Sequence, residues 1–134
     1  MLIDFSFYSD WALALLRIIL GVLLLVHGLP KLKDLKATSA GFASMGFKPG
    51  AFWGPLVALA EFFGGLALVL GIGTEFAAMV FVIQFAVITA WKIIRRQAFA
   101  GGFEIDLLIL GAAAILLTQG AGAFSLDKFF YGGF

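Results

Sequence analysis

The sequence predicts an all-α integral membrane protein, a four-helix bundle with both termini on the non-cytoplasmic side. Three observations carry this reading. Four apolar stretches each approach the roughly 20 residues a helix needs to cross ~30 Å of hydrocarbon. Charged residues make up 13% and hydrophobic ones 63% of the 134 residues, with a mean hydropathy of +1.09. A soluble domain carries roughly a quarter charged residues, so too little polar surface is present to face water. Finally, the basic residues outside the spans fall almost entirely on one side of the predicted membrane.

The first span runs from about residue 11 to 29 and is expected to stop at Pro30, since proline removes a helical donor and crowds the preceding turn. The second runs from about 52 to 70 and ends in Gly71-Ile72-Gly73. The third covers about 75–92, and the fourth about 102–118, followed by Gly120-Ala121-Gly122. None of them alternates polar and apolar residues, so they read as helices rather than barrel strands. The whole chain, 1–134, reads as a single membrane domain. Its one sizeable irregular segment, between the first two spans, holds an expected short interfacial helix at about 35–45, with Phe42 and Met45 facing lipid. The N-terminus lacks a basic n-region and carries Asp4 and Asp10, so the first segment is expected to be retained.

Orientation follows from the basic loops. Lys31, Lys33, Lys36 and Lys48 lie between the first two spans, and Lys92, Arg95 and Arg96 between the last two. The opposite side offers only Lys128 outside the spans. The positive-inside rule then places the long loops in the cytoplasm and both termini outside it. Trp11, Trp53 and Trp91 fall near predicted span ends, where indoles favour the headgroup layer. Small residues, such as Ala60 with Gly64 and the run Gly111–Ala114, are expected to let helices approach closely.

Composition also restricts the chemistry. There are no cysteines, which removes disulfides, iron–sulfur clusters and thiolate metal sites. The single histidine cannot supply both axial imidazoles of a b-type haem. No haem, iron–sulfur or metal site is therefore expected in this chain alone, and no residues stand out as catalytic. The formal net charge of +1 gives no reason to propose nucleic-acid binding.

The polar residues inside the spans remain, and a charge near the bilayer centre costs about 2.5–3.5 kcal/mol on insertion scales. Arg17 lies six residues into the first span and Glu61 near the middle of the second. At ~1.5 Å per residue they sit about 18 and 13 Å above the cytoplasmic ends of their helices, a gap an extended arginine can bridge. Three readings stay open for the pair: a structural clamp, a ligand site for carbonyl or hydroxyl groups such as a quinone head group, and a proton path. A second layer gathers at the cytoplasmic face. His27 and Lys31 are spaced i, i+4, so they share a helix face if the helix continues past Pro30. Glu104 and Asp106 sit in the first turns of the fourth span, where the helix N-terminus favours anions. Gln84, midway along the third span, is expected to hydrogen-bond across helices.

These residues carry a family resemblance. Arg17-Ile18-Ile19-Leu20-Gly21, His27-Gly28 with Lys31, and Gly46 occur in order along the first span and loop. Glu61-Phe62-Phe63-Gly64-Gly65, Gly71, Gly102-Phe103-Glu104, Gly120-Ala121-Gly122 and Ser125-Leu126-Asp127 follow. Over nearly its full length the chain resembles the DoxX family of small prokaryotic membrane proteins. The resemblance implies a four-helix, multi-pass protein of the cytoplasmic (inner) membrane linked to redox physiology. DoxD relatives look like membrane subunits of thiosulfate:quinone oxidoreductase. Arg17, His27, Lys31, Glu61 and Glu104 occupy the family's polar positions, and the resemblance selects Glu104 over Asp106 as the acid facing His27 or Lys31. Asp106 departs from the usual apolar residue there.

Two functions follow as expectations. The first is a quinone-interacting or membrane-anchoring subunit of an oxidoreductase assembly, with Arg17 and Glu61 orienting the head group. The second is a non-enzymatic accessory subunit of a larger membrane complex. The expected partners are the lipid bilayer, an oxidoreductase or larger complex, and a second copy of the chain.

Overall fold

The computed structural model describes residues 3–131. After a single 3-10 turn at Ser6–Tyr8, the chain forms α1 (Ser9–Lys33), α2 (Leu35–Ser44), α3 (Gly50–Leu70), α4 (Thr74–Ile94), α5 (Glu104–Gln119) and the short α6 (Leu126–Tyr131). No strand occurs among the described residues. Four of the helical stretches are long and apolar enough to cross a membrane: Ser6–Lys33, Gly50–Leu70, Thr74–Ile94 and Phe99–Gln119.

α1 packs most extensively on α3, and α4 on α5; contacts of α3 with α4 and of α1 with α5 close the ring. One end of the bundle, the terminal end, carries the start of α1, the Gly71–Gly73 turn and the tail. The other, the loop end, carries α2 and the connection from α4 to α5. Leu20, Leu24, Leu68, Ala78, Phe81, Ala113 and Leu116 form the core, while most other large apolar side chains lie on the outside of the ring. That inversion is expected where lipid rather than water is the solvent.

α1 does not stop at Pro30 but continues through it to Lys33. A membrane helix tolerates a proline because neighbouring groups compensate the lost backbone bond. The Lys31 carbonyl at this end accepts a bond from Thr38 Oγ1 at 3.0 Å. Asp34 then caps α2 through the Ala37 N–H. α2 lies against the first two turns of α3, where a Cβ on Gly54 would come within 2.9 Å of the Ser39 Cα.

The α1–α3 contact involves glycines other than the small residues singled out in the sequence. A Cβ on Gly21 would lie 2.7 Å from the Gly65 carbonyl, and one on Gly65 2.8 Å from the Gly21 carbonyl. Further down the same crossing, Gly28 faces the Phe62 N–H and Glu61 Cβ. Glycines thus let α1 and α3 meet backbone to backbone. Gly64 instead receives the Phe81 ring of α4. In the Gly111–Ala114 run, Ala112 and Ala113 are buried, but nothing lies within 4 Å of a Cβ built on Gly111.

Candidate functional site

Glu61 and Arg17 do not meet. The α1–α3 crossing sets Glu61 opposite Gly28 and Arg17 opposite the end of α3, and eight residues of helix separate Glu61 from Val69, about 12 Å. Heights measured from the ends of the apolar runs mislead because those ends do not lie level: α1 continues past Pro30, and the glycine crossing sets Glu61 opposite Gly28, two residues before that proline.

Lys31 is the partner of Glu61 instead. Its Nζ donates to Glu61 Oε1 at 2.8 Å and to Oε2 at 2.7 Å. Gln84 Nε2, from α4, donates to Oε1 at 2.8 Å. The carboxylate is buried, with its side chain 4% exposed, whereas that of Lys31 is 32% exposed. Lys31 therefore reaches inward from the last turn of α1, and the extension of α1 beyond Pro30 is what brings it there. An ammonium has three donors, and Glu61 accepts two bonds from it. One Lys31 N–H and the Gln84 carbonyl oxygen are left without a hydrogen-bond partner among the described residues.

Arg17 belongs to a second cluster, at the terminal end. Its Nη1 donates to the Leu68 and Val69 carbonyls at 2.8 and 3.0 Å, and its Nη2 to the Phe124 carbonyl at 2.6 Å. The last carbonyls of a helix lack intrahelical donors and carry the negative end of its dipole. The guanidinium therefore caps α3. Gly71, with φ +72°, ends α3 in a left-handed turn that a side chain would strain. A Cβ there would also meet Ser125 Cβ and Arg17 Nη1. Asp127 completes the knot: its N–H donates to the Gly71 carbonyl, and its carboxylate accepts from the Gly73 and Thr74 N–H groups that open α4. Asp10 accepts from Ala123 N–H, and Trp11 packs on Phe124 with centroids 4.4 Å apart. Residue spacing gives no sign of this role for Asp127, because its partners lie more than fifty residues earlier in the chain; only the fragment Ser125-Leu126-Asp127 marks the place.

The remaining candidates stand apart. His27 is exposed and makes no hydrogen bond among the described residues, so its i, i+4 spacing to Lys31 builds no site. Glu104 does not face His27 or Lys31; its Oε1 accepts from the Gly101 N–H at 3.1 Å, across the kink before α5. Asp106 is the acid with a cationic partner, Lys92 Nζ at 2.6 Å. Both belong to helix ends joined by one short connection, a proximity that spacing could have shown. Arg95 lies over the Trp91 ring at 5.1 Å, and the Trp91 indole donates to the Met45 carbonyl.

The clefts on the surface of the described residues include two of note. One of about 680 Å³ at the terminal end is lined by Asp10, Glu75, Gln119, Asp127 and Tyr131 among others. One of about 610 Å³ runs along α5, lined by Leu16, Phe99, Glu104, Leu108, Gly111 and Ile115 among others. Neither is lined by Arg17, Lys31, Glu61 or Gln84. No group of three or more His, Cys, Asp or Glu suited to a metal occurs among the described residues.

Comparison with known proteins agrees with this architecture. The sequence model of a family described as DoxX matches residues 12–93. A Bacillus subtilis (strain 168) protein named "Putative oxidoreductase CatD" is 31% identical over 121 residues, covering 89% of this chain and 87% of that protein. An Escherichia coli (strain K12) protein named "Inner membrane protein YqjF" is 34% identical over 125 residues, covering 90% of this chain and 92% of that protein. No solved structure matches.

Proposed function

This chain belongs to the DoxX family, and from that premise we propose that it is a quinone-interacting inner-membrane subunit of an oxidoreductase assembly. The observation that carries the reading is the Lys31–Glu61–Gln84 cluster, which sets a buried carboxylate between two donors midway along the spans. Intramembrane charges of this kind mark ligand or proton sites more often than decoration. The spare Lys31 N–H suits a quinone carbonyl, and the free Gln84 oxygen suits a quinol hydroxyl. Arg17 has no part in the site, because its guanidinium lies at the terminal end, where Nη1 and Nη2 bond backbone carbonyls. The oxidoreductase name of one relative and the inner-membrane name of the other support the setting. The electron carrier belongs to a partner subunit, since this chain has no cysteine and one histidine to ligate a cluster or haem. The basic loop end faces the cytoplasm on this reading.

The test is a titration of a short-chain quinone analogue against the purified protein in lipid nanodiscs. Wild type is expected to bind, Glu61→Gln to bind more weakly, and Gln119→Ala, in the cleft at the terminal end, to match wild type. Equal affinity in wild type and Glu61→Gln, or binding by neither, overturns the site. A stoichiometric partner co-purifying with a chain that takes no quinone would favour the accessory-subunit function.

A further inference from the structure

The two ends of the bundle give Glu61 very different surroundings. Toward the terminal end, Leu24, Leu68, Ala78 and Phe81 have no exposed surface, and Leu20 has 3%. This plug separates Glu61 from the Arg17 layer, and the tail closes the bundle beyond it. Toward the loop end lies Lys31, bonded to both oxygens of Glu61 and one-third exposed, two residues before α1 ends. Thr89, also on the loop-end side of Gln84, holds a buried hydroxyl without a hydrogen-bond partner among the described residues.

We infer that Glu61 is a proton-exchange site open to the loop end alone, with Lys31 as its relay. The proton passes from Lys31 Nζ to a Glu61 oxygen, so one N–H bond breaks and one O–H bond forms. Water at the loop end then returns a proton to Lys31, and the pair has gained one proton in all. Reversal releases it to the same side. The apolar plug offers no hydroxyl, amide or ionisable side chain to carry the proton onward, so the site loads and unloads without leaking across the membrane.

The other charged groups do not interrupt this route. From α1, Lys31 is the ionisable group bonded to Glu61, while His27 is exposed and Arg17 is held at the far end. From α4 comes the neutral Gln84. Lys36 of α2 is exposed. Glu104 and Asp106 of α5 are engaged by Gly101 and Lys92.

Glu61 also anchors the quinone reading, but its proton exchange is measured without quinone, so either can fail alone. Dicyclohexylcarbodiimide, an apolar reagent that modifies protonated carboxyl groups within membranes, is the probe. The chain is reconstituted in liposomes in one orientation, and the adduct on Glu61 is quantified by mass spectrometry while pH is varied separately on each side. Labelling is expected to rise when the loop side is acidified and to ignore the terminal side. Absence of an adduct at Glu61 at every pH, or labelling that follows the terminal side, overturns the inference. Lys31→Gln removes the cation that favours the ionised carboxylate, so labelling is expected to rise several-fold at neutral pH and to depend less on the loop side, and unchanged labelling removes Lys31 as the relay. Should that variant misfold, infrared spectroscopy of the wild type serves instead: a carboxylic acid band that grows on acidification, and is missing in Glu61→Gln, is required.

Discussion

Two buried polar clusters, at different depths of one bundle, handle charge in opposite ways. At the terminal end, Arg17 is 2% exposed and is held by three bonds to backbone carbonyls of α3 and the tail. Its partners belong to segments 51 to 107 residues away in sequence. At mid-bundle, Glu61 is as deeply buried, but the charge that balances it sits on a flexible lysine one-third exposed. One cluster is a knot and the other has an exit. A charge used as structure is surrounded by fixed dipoles, whereas a charge that can change state needs a partner able to move.

The sharpest way to break this comparison is Arg17→Met. It removes three charge-assisted bonds joining α1, α3 and the tail, for an expected loss of about 3–5 kcal/mol, read from thermal or denaturant unfolding in detergent. A loss below that of Glu61→Gln would reverse the roles of the two clusters.

Next comes Gly28→Val. The added side chain meets the Phe62 N–H and Glu61 Cβ, so α1 and α3 must separate where the Lys31–Glu61 pair forms. Overpacking of this kind costs about 1–3 kcal/mol. Carbodiimide labelling of Glu61 should change together with stability, and a stable variant with unaltered labelling would show that the crossing does not set the pair.

Asp127→Ala removes the carboxylate that caps α4 and should cost about 1 kcal/mol, as a lost N-cap does. Because the tail also holds Arg17, its effect should be less than additive with Arg17→Met in a double-mutant cycle. Full additivity would mean that tail and guanidinium act separately.

The smallest stability effect is expected from Glu61→Gln, about 1 kcal/mol or less. The amide still accepts a bond, and Lys31 can withdraw its ammonium toward the loop end. Its proton exchange should nevertheless be lost. A large destabilisation would make the mid-bundle cluster a second knot.

Much of this is legible in the residues. The four spans follow from local apolar length, which needs no knowledge of neighbours, and Arg17 and Glu61 stand out because a charge inside lipid is costly whatever it touches. Gln84 reads as an interhelical hydrogen-bonding residue, and it is one. The errors concern partners. Height along the helices pairs Arg17 with Glu61 only if apolar runs mark the helix ends, and stopping α1 at Pro30 misplaces Lys31. Family resemblance sets Glu104 rather than Asp106 against His27 or Lys31, yet neither acid meets them: Glu104 accepts from Gly101 and Asp106 holds Lys92.

What the sequence determined by itself, then, is that the chain makes four membrane helices and which few residues in them cannot be inert. Solvent sets both: hydrocarbon obliges the backbone to satisfy its own hydrogen bonds and makes each charge conspicuous. Which charges meet was decided by tertiary structure alone. Gly21, Gly28 and Gly65 let α1 and α3 touch along their backbones, and that contact fixes the register that gives Lys31 to Glu61 and Arg17 to the end of α3. Register depends on steric fit between segments distant in the chain, and spacing within either segment carries no record of it.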